Sequence, residues 1–346
     1  MAIVFDGPVT PDAQTVFTRN VPTPQAFTLN QILPDRHIDK NWVDLAEITR
    51  TNRTARFRAY DGRLHVSERD VGVTKQVKLP PLSSSLNMGE LERLQLEFAR
   101  SAGGSLTAIE NAVYNDTTNL TREVQARMEQ ARGDVLTDGK FTLAGEGGLV
   151  LEADFGVPGG NIVAPGTLWS STATATIIAN LTTWVNTYVA TNGFRPGGMV
   201  ISTAVLNYML QNAEIRTLAA SLAGTPSLVT RAALDNVLSA FNLPPIVQVY
   251  DTLVDVDGVS TNVIPADRVI FLPPNVADLG YTAWGVTATS LELVNSNAVD
   301  FSIEEAPGIV AVIEKVGPPY RQFVFVDAVG MPVLENPRLL MIADVA

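Results

Sequence analysis

One long amphipathic helix is the strongest pattern in the chain, and it ends near residue 139. Apolar residues recur at helical spacing and form a stripe along one face: Leu120, Val124, Met128, Ala131 and Val135. Charged residues occupy the other face, which is expected to meet solvent: Arg122, Glu123, Arg127, Glu129 and Arg132. Gly139 is the left-handed residue that often follows a helix, and residues 140–143 alternate like a half-buried strand. The pattern predicts a helix–turn–strand unit, which any α+β domain can contain.

Upstream of this helix, the pattern predicts an arm followed by a ribbon. Residues 1–45 contain five prolines and predict an extended arm with one short amphipathic segment at residues 27–33. Residues 46–86 alternate in strand fashion and turn at Asp61-Gly62, which is a hairpin signal. A two-stranded ribbon of about 40 residues cannot bury a core of its own. It must therefore lie on another surface, for which an adjacent subunit is the natural candidate.

A helix start is predicted immediately after the ribbon, at Asn87. The Asn87 side chain can cap the helix, and Glu90 can reach back from the third helical position. Leu86 and Leu91 supply the pair of apolar residues that brackets such a start. A glycine pair at residues 103–104 then interrupts the helical pattern before the long helix begins.

Glycines and prolines between residues 158 and 171 predict a linker and the start of a second domain. Beyond the linker, helical patterns occupy residues 172–192, 203–223 and 229–241, and strand patterns occupy residues 199–201, 246–250 and 268–272. A hairpin is expected at Asp257-Gly258, between the last two of these strands. Such alternation is typical of an α/β-like domain. The chain then returns to strands, predicted at residues 281–294, 309–316 and 322–328.

The composition describes a folded protein made in a reducing compartment. The chain has 346 residues, 46% of them hydrophobic, and a mean hydropathy of +0.15, which excludes a disordered protein and allows two domains or one large one. The absence of cysteine fits assembly in a reducing cytoplasm. The first residues contain no recognisable signal peptide, and no apolar run is long enough to cross a membrane. We therefore expect a soluble protein that is cytosolic at synthesis.

The net charge of −12 is unevenly distributed along the chain. Residues 50–78 hold eight basic and three acidic residues, a net charge of +5, which leaves −17 for the rest. The overall charge argues against a nucleic-acid binder, since phosphate neutralisation needs clustered Lys and Arg. A basic ribbon on an acidic body favours contact between copies of the chain. A solvated basic hairpin is the alternative interpretation.

The residues that most catalytic mechanisms need are scarce. The two histidines, His37 and His65, fall in the arm and the ribbon, and there is no cysteine nucleophile. Zinc sites of the His and Cys kind are excluded because too few ligands are present. No P-loop and no dinucleotide-binding glycine motif occurs. We therefore predict no catalytic, cofactor-binding or metal-binding residue, no cofactor, and no enzymatic activity.

Two groups of acidic residues have a functional and a plain interpretation. Asp251, Asp255 and Asp257 resemble the start of a calcium loop, but the closing bidentate Glu is missing, which favours an ordinary Asp-Gly turn. Glu304 and Glu305 could form an acid/base pair, but neighbouring residues of a strand face opposite sides, which favours a solvated surface. A carboxylate-dependent hydrolase, whose chemistry needs neither His nor Cys, is the alternative from another class.

Three patches of sequence together resemble one family. Residues 136–146 read Leu-Thr-Asp-Gly-Lys-Phe-Thr-Leu-Ala-Gly-Glu, and this turn resembles the lambda-type (gpE) major capsid proteins of tailed phages. Residues 321–341, with Arg-Gln-Phe, Met-Pro-Val-Leu and Asn-Pro, resemble the closing strands of that family. Residues 71–82 resemble the end of its extended loop. The patches follow the family order, whereas residues 160–280 carry no matching motif.

The resemblance implies an α+β, HK97-like phage capsid fold with a fixed order of parts. It implies an N-terminal arm at residues 1–45, an extended loop (E-loop) at 46–86, and a peripheral domain with a spine helix at 87–157. An axial domain would follow at residues 158–280, and residues 281–346 would close the peripheral domain. The implied function is that of a major capsid protein, which self-assembles into the icosahedral head shell around the double-stranded DNA genome of a tailed phage.

The resemblance also implies partners and a location. The main partner is the chain itself, in hexameric and pentameric capsomers, with a portal and, in some relatives, a decoration protein. Some relatives carry a scaffold domain at the N-terminus, but the ribbon here begins by about residue 46, so we expect a separate scaffold protein. DNA is enclosed without sequence-specific binding, no membrane is involved, and the protein ends in the virion after assembly in the host cytoplasm. An encapsulin-like compartment and a tail-tube subunit are the alternatives within the assembly class. A tail-tube subunit would be mostly β with few long helices.

Overall fold

A 33-residue helix, α2 (Leu106–Asp138), is the element against which the other parts of the computed structural model pack. The structure describes residues 9–47, 73–89, 106–146, 148–220, 228–296, 302–316 and 321–346, with single positions 91, 94, 224 and 226. The predicted apolar stripe is confirmed, because each of its members is at most 4% exposed: Leu120, Val124, Met128, Ala131 and Val135. The stripe packs on the sheet described below.

The predicted turn after α2 is also confirmed. Gly139 follows the last helical residue with φ +72°, and β5 (Lys140–Glu146) begins at the next residue. β5 pairs antiparallel with β6 (Leu149–Asp154). A Cβ atom at Gly139 would lie 2.3 Å from Cγ2 of Val157. Glycine is therefore required at this position both by its backbone conformation and by the close approach of Val157.

The first sheet is built around β15 (Arg321–Leu334), a strand of 14 residues. Its first half pairs antiparallel with both β14 (Val310–Val316) and β4 (Pro81–Met88). Its second half pairs with β13 (Gly280–Trp284), which in turn pairs in parallel with β1 (Asp35–His37). Two segments of the predicted arm and ribbon region, β1 and β4, therefore become strands of this sheet.

The second sheet has the order β7-β16-β12-β8-β9. It consists of β7 (Ile162–Val163), β16 (Met341–Asp344), β12 (Arg268–Leu272), β8 (Gly198–Ile201) and β9 (Ile246–Val249). The strands predicted at residues 199–201, 246–250 and 268–272 are thus confirmed. The last strand of the chain, β16, lies beside β12 in this sheet rather than in the first one.

Four helices accompany the second sheet: α3 (Ile177–Asn192), α4 (Thr203–Gln211), α5 (Ala213–Leu218) and α6 (Arg231–Ala240). Their shared core contains a cluster of aromatic residues. Trp169 stacks on Trp184 with ring centroids 5.8 Å apart, and Trp184 meets Phe271 edge-on at 6.3 Å. The helix predicted to end near Gly193 does so, since Gly193 has φ +80°.

The predicted hairpin at Asp257-Gly258 is confirmed. It joins β10 (Leu253–Val256) to β11 (Val259–Asn262), with Val256 opposite Val259. Asp257 and Gly258 have φ values of 53° and 83°, as a two-residue type I′ turn requires. Strand β10 of this hairpin contacts α2, as do β12 and β16 of the second sheet.

The arm contains a helix that the sequence analysis did not predict, α1 (Pro11–Asn20). The prolines of this region suggested an extended chain. Pro11, however, occupies the first turn of α1, where a missing N–H removes no intrahelical hydrogen bond. The short segment predicted at residues 27–33 contains a 3₁₀ turn at Leu29–Gln31, which is followed by β1.

The helix start predicted at Asn87 is wrong. Asn87 lies in β4 opposite Phe323 of β15, and Leu91 and Leu94 are the first helical positions that the structure describes. The local capping signals are overridden by pairing with a long strand, which supplies partners for every residue from Pro81 to Met88. A capping residue acts only where the residues that follow it can turn into a helix, and here Met88 continues the strand.

Two other predictions are partly wrong for local reasons. The helix expected at residues 203–223 is divided, because Asn212 adopts an extended conformation and its side chain caps α5 by accepting the Ile215 N–H. The strand expected at residues 281–294 ends at Trp284. Helix α7 (Ala288–Val294) follows, with the Thr287 side chain accepting the Ser290 N–H as its cap. Among the described residues, no helix combines the length and apolarity needed to cross a membrane.

Candidate functional site: a buried polar junction on the long helix

Two charged residues of α2 are buried, although the sequence analysis placed them on the solvent-facing side. Glu129 is fully buried and Arg132 is 4% exposed. The prediction was wrong for these two because α2 is covered on more than one side. The first sheet covers the apolar stripe, while the 3₁₀ turn of the arm and the β10–β11 hairpin cover an adjacent face. Their i,i+3 spacing and opposite charges predict an ion pair, but such pairs are common on exposed helix faces, so this pattern does not indicate burial.

Glu129 joins three segments of the chain. Its Oε1 accepts the backbone N–H of Leu29 at 2.9 Å and the hydroxyl of Tyr250 at 2.8 Å. Its Oε2 lies 3.2 Å from Nη1 of Arg132. A buried carboxylate needs such partners, because removing an ion from water costs several kcal/mol that only good hydrogen bonds and an opposite charge repay.

Arg132 extends the network to the first sheet. Its Nε donates to Oγ1 of Thr282 at 2.9 Å, and its Nη2 donates to Oδ1 of Asp35 at 2.6 Å. Thr282 passes the connection on by donating to the carbonyl of Leu33 at 2.9 Å. Asp35 also accepts the indole N–H of Trp284 at 2.8 Å. The guanidinium is therefore bonded to the arm and to β13 at the same time.

The network, which we call the polar junction (Leu29, Asp35, Glu129, Arg132, Tyr250 and Thr282), connects four parts of the chain. They are the arm, the long helix, the first sheet and the end of β9 in the second sheet. Burial, followed by the nearby Glu129 carboxylate, raises the pKa of Tyr250 well above its usual range. The phenol thus stays protonated and keeps donating. The geometry fixes the orientation of these parts and presents no nucleophile with an adjacent base.

The residues considered for chemistry on sequence grounds do not come together. His37 lies in β1, and His65 lies outside the described residues. Asp251 accepts the N–H and hydroxyl of Thr203 at the start of α4, whereas Asp255 accepts the Gly258 N–H at 2.7 Å. In the parts of the chain that the structure describes, no three His, Asp or Glu side chains are grouped to hold a metal ion.

Glu304 and Glu305 lie in a 3₁₀ turn (Ile303–Glu305) and not in a strand. Glu305 accepts the backbone N–H and the hydroxyl of Ser302, both at 2.9 Å, and forms a capping box with it. These hydrogen bonds, first the one from the Ser302 backbone, lower the pKa of Glu305. Glu305 is thus an ionised capping residue.

An open cleft of about 840 Å³ lies between α2 and the β10–β11 hairpin. The helix lines it with Arg122 and Arg127, and the hairpin lines it with Asp255 and Asp257. Phe27 of the arm lies at its side. The two walls of the cleft thus carry side chains of opposite charge.

Two solved structures resemble this chain over nearly its whole length. A prophage protein of E. coli CFT073, described as a capsid protein, matches with a TM-score of 0.60 and 16% identity, covering 95% of this chain and 96% of that one. A phage-related protein of Bordetella bronchiseptica RB50 matches with a TM-score of 0.57 and 12% identity, covering 100% and 98%. At such identities the likeness concerns the fold. No curated protein sequence matches significantly.

The sequence itself matches a family model. The model described as phage major capsid protein E matches residues 10–345, which is nearly the whole chain. The match includes residues 160–280, for which the sequence analysis found no motif. Together with the helix–turn–strand at Gly139 and the closing strand β15, it confirms the resemblance and the HK97-like fold. The chain therefore belongs to the phage major capsid protein E family and is a major capsid protein, a structural subunit of the head shell of a tailed phage.

Proposed function

We propose that the chain associates with itself into hexameric and pentameric capsomers and that these close an icosahedral shell around double-stranded DNA. The observation that carries this proposal is the family match over residues 10–345. The protein then resides in the virion and is assembled in the host cytoplasm. DNA is enclosed without sequence-specific contacts, which the net charge of −12 supports, since an acidic subunit repels packaged phosphate.

We propose the following roles for the parts of the chain. Residues 1–45 are the N-terminal arm, residues 46–86 the E-loop, and residues 87–157 with 281–346 the peripheral domain, whose spine helix is α2. Residues 158–280 are the axial domain, to whose sheet β16 adds a strand. The polar junction supports a subunit whose arm and two sheets keep one relative orientation while it enters the shell.

The E-loop proposal rests on the base of the ribbon. β2 (Trp42–Glu47) pairs antiparallel with β3 (Val73–Lys78), from Trp42 opposite Lys78 to Glu47 opposite Val73. Residues 48–72, which include the basic positions Arg53, Arg56 and Arg58, lie outside the described residues. We propose that this basic ribbon contacts the acidic body of a neighbouring copy.

We further propose that the scaffold is a separate protein. A portal and, in some shells, a decoration protein complete the partners, and the chain has no catalytic activity. Intact-mass measurement of mature particles tests the scaffold proposal: a mass that retains everything beyond the arm supports it. Loss of a large N-terminal domain would refute it.

The alternatives differ in what they assemble. A tail-tube subunit would form hollow tubes and be mostly β, which the 33-residue α2 disfavours. An encapsulin-like compartment would close without scaffold or portal and carry a groove for a cargo peptide. Expression of the chain alone and with its scaffold, followed by light scattering, separates these cases. Shells that depend on the scaffold favour the phage head.

A further inference from the structure

Helix α1 docks on the rest of the chain through polar side chains. Its buried face consists of Pro11, Gln14, Thr15 and Thr18, and the last three are at most 1% exposed. Val16, on the opposite face, is 57% exposed. A helix held by the hydrophobic effect shows the reverse arrangement. The apolar contacts of α1 are at its margins, at Val9, at Val21 and where the Phe17 ring meets Tyr114.

Two glutamine oxygens remain unpaired where α1 and the residue after it meet α2. Gln14 donates from Nε2 to Oγ1 of Thr117 at 2.9 Å, and Gln125 donates from Nε2 to the carbonyl of Val21 at 3.3 Å. The Oε1 atoms of Gln14 and Gln125 are buried and have no partner among the described residues. Water would satisfy both oxygens if α1 left. The docked position therefore carries a cost that undocking removes.

Helix α1 docks on the open edge of the first sheet, along β14. The hydroxyl of Thr15 accepts the N–H of Ala311 and donates to its carbonyl, at 3.4 and 3.3 Å. Arg19 donates to the carbonyl of Ile309 at 3.2 Å. Among the described residues, β14 has one strand neighbour, β15, on its other side. The side chains of α1 thus occupy positions that a further strand would fill.

We propose that α1 is a displaceable cover. Helix α1 undocks from β14 while the rest of the chain stays folded. The edge of β14 that is then exposed pairs antiparallel with β14 of a second copy. This inference concerns free subunits, so it does not depend on the formation of shells. While α1 is docked, it keeps two copies from associating through this edge.

The β14 edge is complementary to itself. Because Ala311 directs its N–H and carbonyl away from β15, Ile313 and Lys315 direct theirs the same way. A twofold axis through Ile313 places Ile313 opposite its own copy, Ala311 opposite Lys315, and Val312 opposite Glu314. No like charges then face each other across the two strands. A second copy of this chain is therefore the occupant that the edge fits.

Thiol labelling tests whether α1 undocks separately. The chain has no cysteine, so each introduced cysteine is a unique reporter. We compare Thr18→Cys in α1 with Ala343→Cys in β16, since both positions are at most 1% exposed. We expect the Thr18→Cys variant to react at least about 100-fold faster and with little dependence on urea below the unfolding transition. Equal rates with equal urea dependence would show that α1 leaves only on global unfolding.

The unpaired Oε1 of Gln14 allows a second test with the Thr18→Cys variant. Adding Gln14→Leu to the Thr18→Cys variant removes the unsatisfied oxygen and increases apolar burial, although it also removes the hydrogen bond from Nε2 to Thr117. Labelling should become slower if that oxygen weakens the docked position. Faster or unchanged labelling would contradict this part of the inference.

Disulfide trapping tests the partner. Ile313→Cys places a cysteine opposite its own copy, and the Cα atoms of a hydrogen-bonded antiparallel pair lie about 5.5 Å apart, which suits a disulfide. In the Thr15→Glu background, which displaces α1, oxidation should give a covalent dimer. With Thr15 intact, or with the matched control Val16→Glu on the exposed face, it should not. Absence of the dimer in the Thr15→Glu background, or its presence in both controls, would overturn the pairing.

Discussion

Tyr250 donates its hydroxyl to Glu129 at 2.8 Å, and the two residues are 121 positions apart in the sequence. The bond connects the residue that follows β9 of the second sheet to the last third of the long helix. The same Glu129 oxygen also accepts the Leu29 N–H of the arm. One buried carboxylate thereby holds three parts of a shell subunit in a single arrangement.

Glu129→Gln should destabilise the chain by about 3 kcal/mol, because removing one partner of a buried ion pair leaves the other charge poorly compensated. Asp35 remains beside Arg132 and limits the loss. Urea denaturation measures the free energy of unfolding. The matched control is Glu292→Gln on the exposed side of α7, which should change it by less than about 0.5 kcal/mol. Equal effects of the two substitutions would show that the junction contributes nothing special.

Stability should fall in alkaline solution, and Tyr250 should account for part of the fall. Because burial raises its pKa, the folded chain keeps the phenol proton at pH values where the unfolded chain loses it. The contribution of the Tyr250 phenol to the free energy of unfolding is therefore fully present below the ordinary tyrosine pKa of about 10. It decreases as the pH rises above that value. Burial also raises the pKa of Tyr188, so this residue contributes to the same loss of stability. Unfolding free energies at about pH 9 and pH 11 measure the slope.

Tyr250→Phe separates this effect from general alkaline denaturation. The variant should lose about 1–3 kcal/mol at neutral pH, since Glu129 loses a hydrogen bond. Its stability should also decrease less steeply above about pH 10, because one buried titrating group is gone. A slope identical to that of the unsubstituted chain would contradict the assigned role of Tyr250.

Gly133→Ala should destabilise the chain, although alanine normally gains roughly 1 kcal/mol over glycine within a helix. A Cβ atom at this position of α2 would lie 2.2 Å from the carbonyl oxygen of Val263, a backbone atom that cannot turn aside. Thermal unfolding measures the effect. The control is Gly160→Ala, where a Cβ atom meets nothing within 4 Å. A stabilised Gly133→Ala variant would mean that α2 and this loop are not in close contact.

The basic ribbon should act through its summed charge. Reversing Arg53, Arg56 and Arg58 together to Glu should block or misdirect assembly while circular dichroism of the free subunit stays unchanged. Single exposed ion pairs contribute only about 0–1 kcal/mol, so no single arginine should be essential. Raised salt should weaken association of the unsubstituted chain in the same direction. Normal shells of normal salt tolerance from the triple variant would identify the ribbon as a solvated hairpin.

The local parts of the fold were predictable because local physics decides them. Gly139 needs only its own backbone conformation and the periodicity before it, and the turn was found at the right residue. Asp257-Gly258 likewise carries its turn type in two residues. In both cases the residues on either side of the turn favour the same backbone conformation as the turn residues themselves.

The features that depend on distant segments of the chain could not be predicted from the local sequence. Asn87 has good capping chemistry, but β15 competes for it as a strand partner, and nothing near Asn87 reveals this. The burial of Glu129 and Arg132 depends on Leu29, Tyr250 and Thr282, which approach from three distant segments. Helical periodicity describes one buried face, and α2 is buried on more than one. The family resemblance supplied the fold where the periodicity could not.

Negative-stain electron microscopy of the purified chain, alone and together with its scaffold, tests the central claim most directly. A major capsid protein should appear as closed shells of uniform size, or as capsomers that convert to such shells when the scaffold is added. Hollow tubes would assign the chain to a different assembly. A monodisperse monomer under every condition, with the scaffold present, would contradict the account.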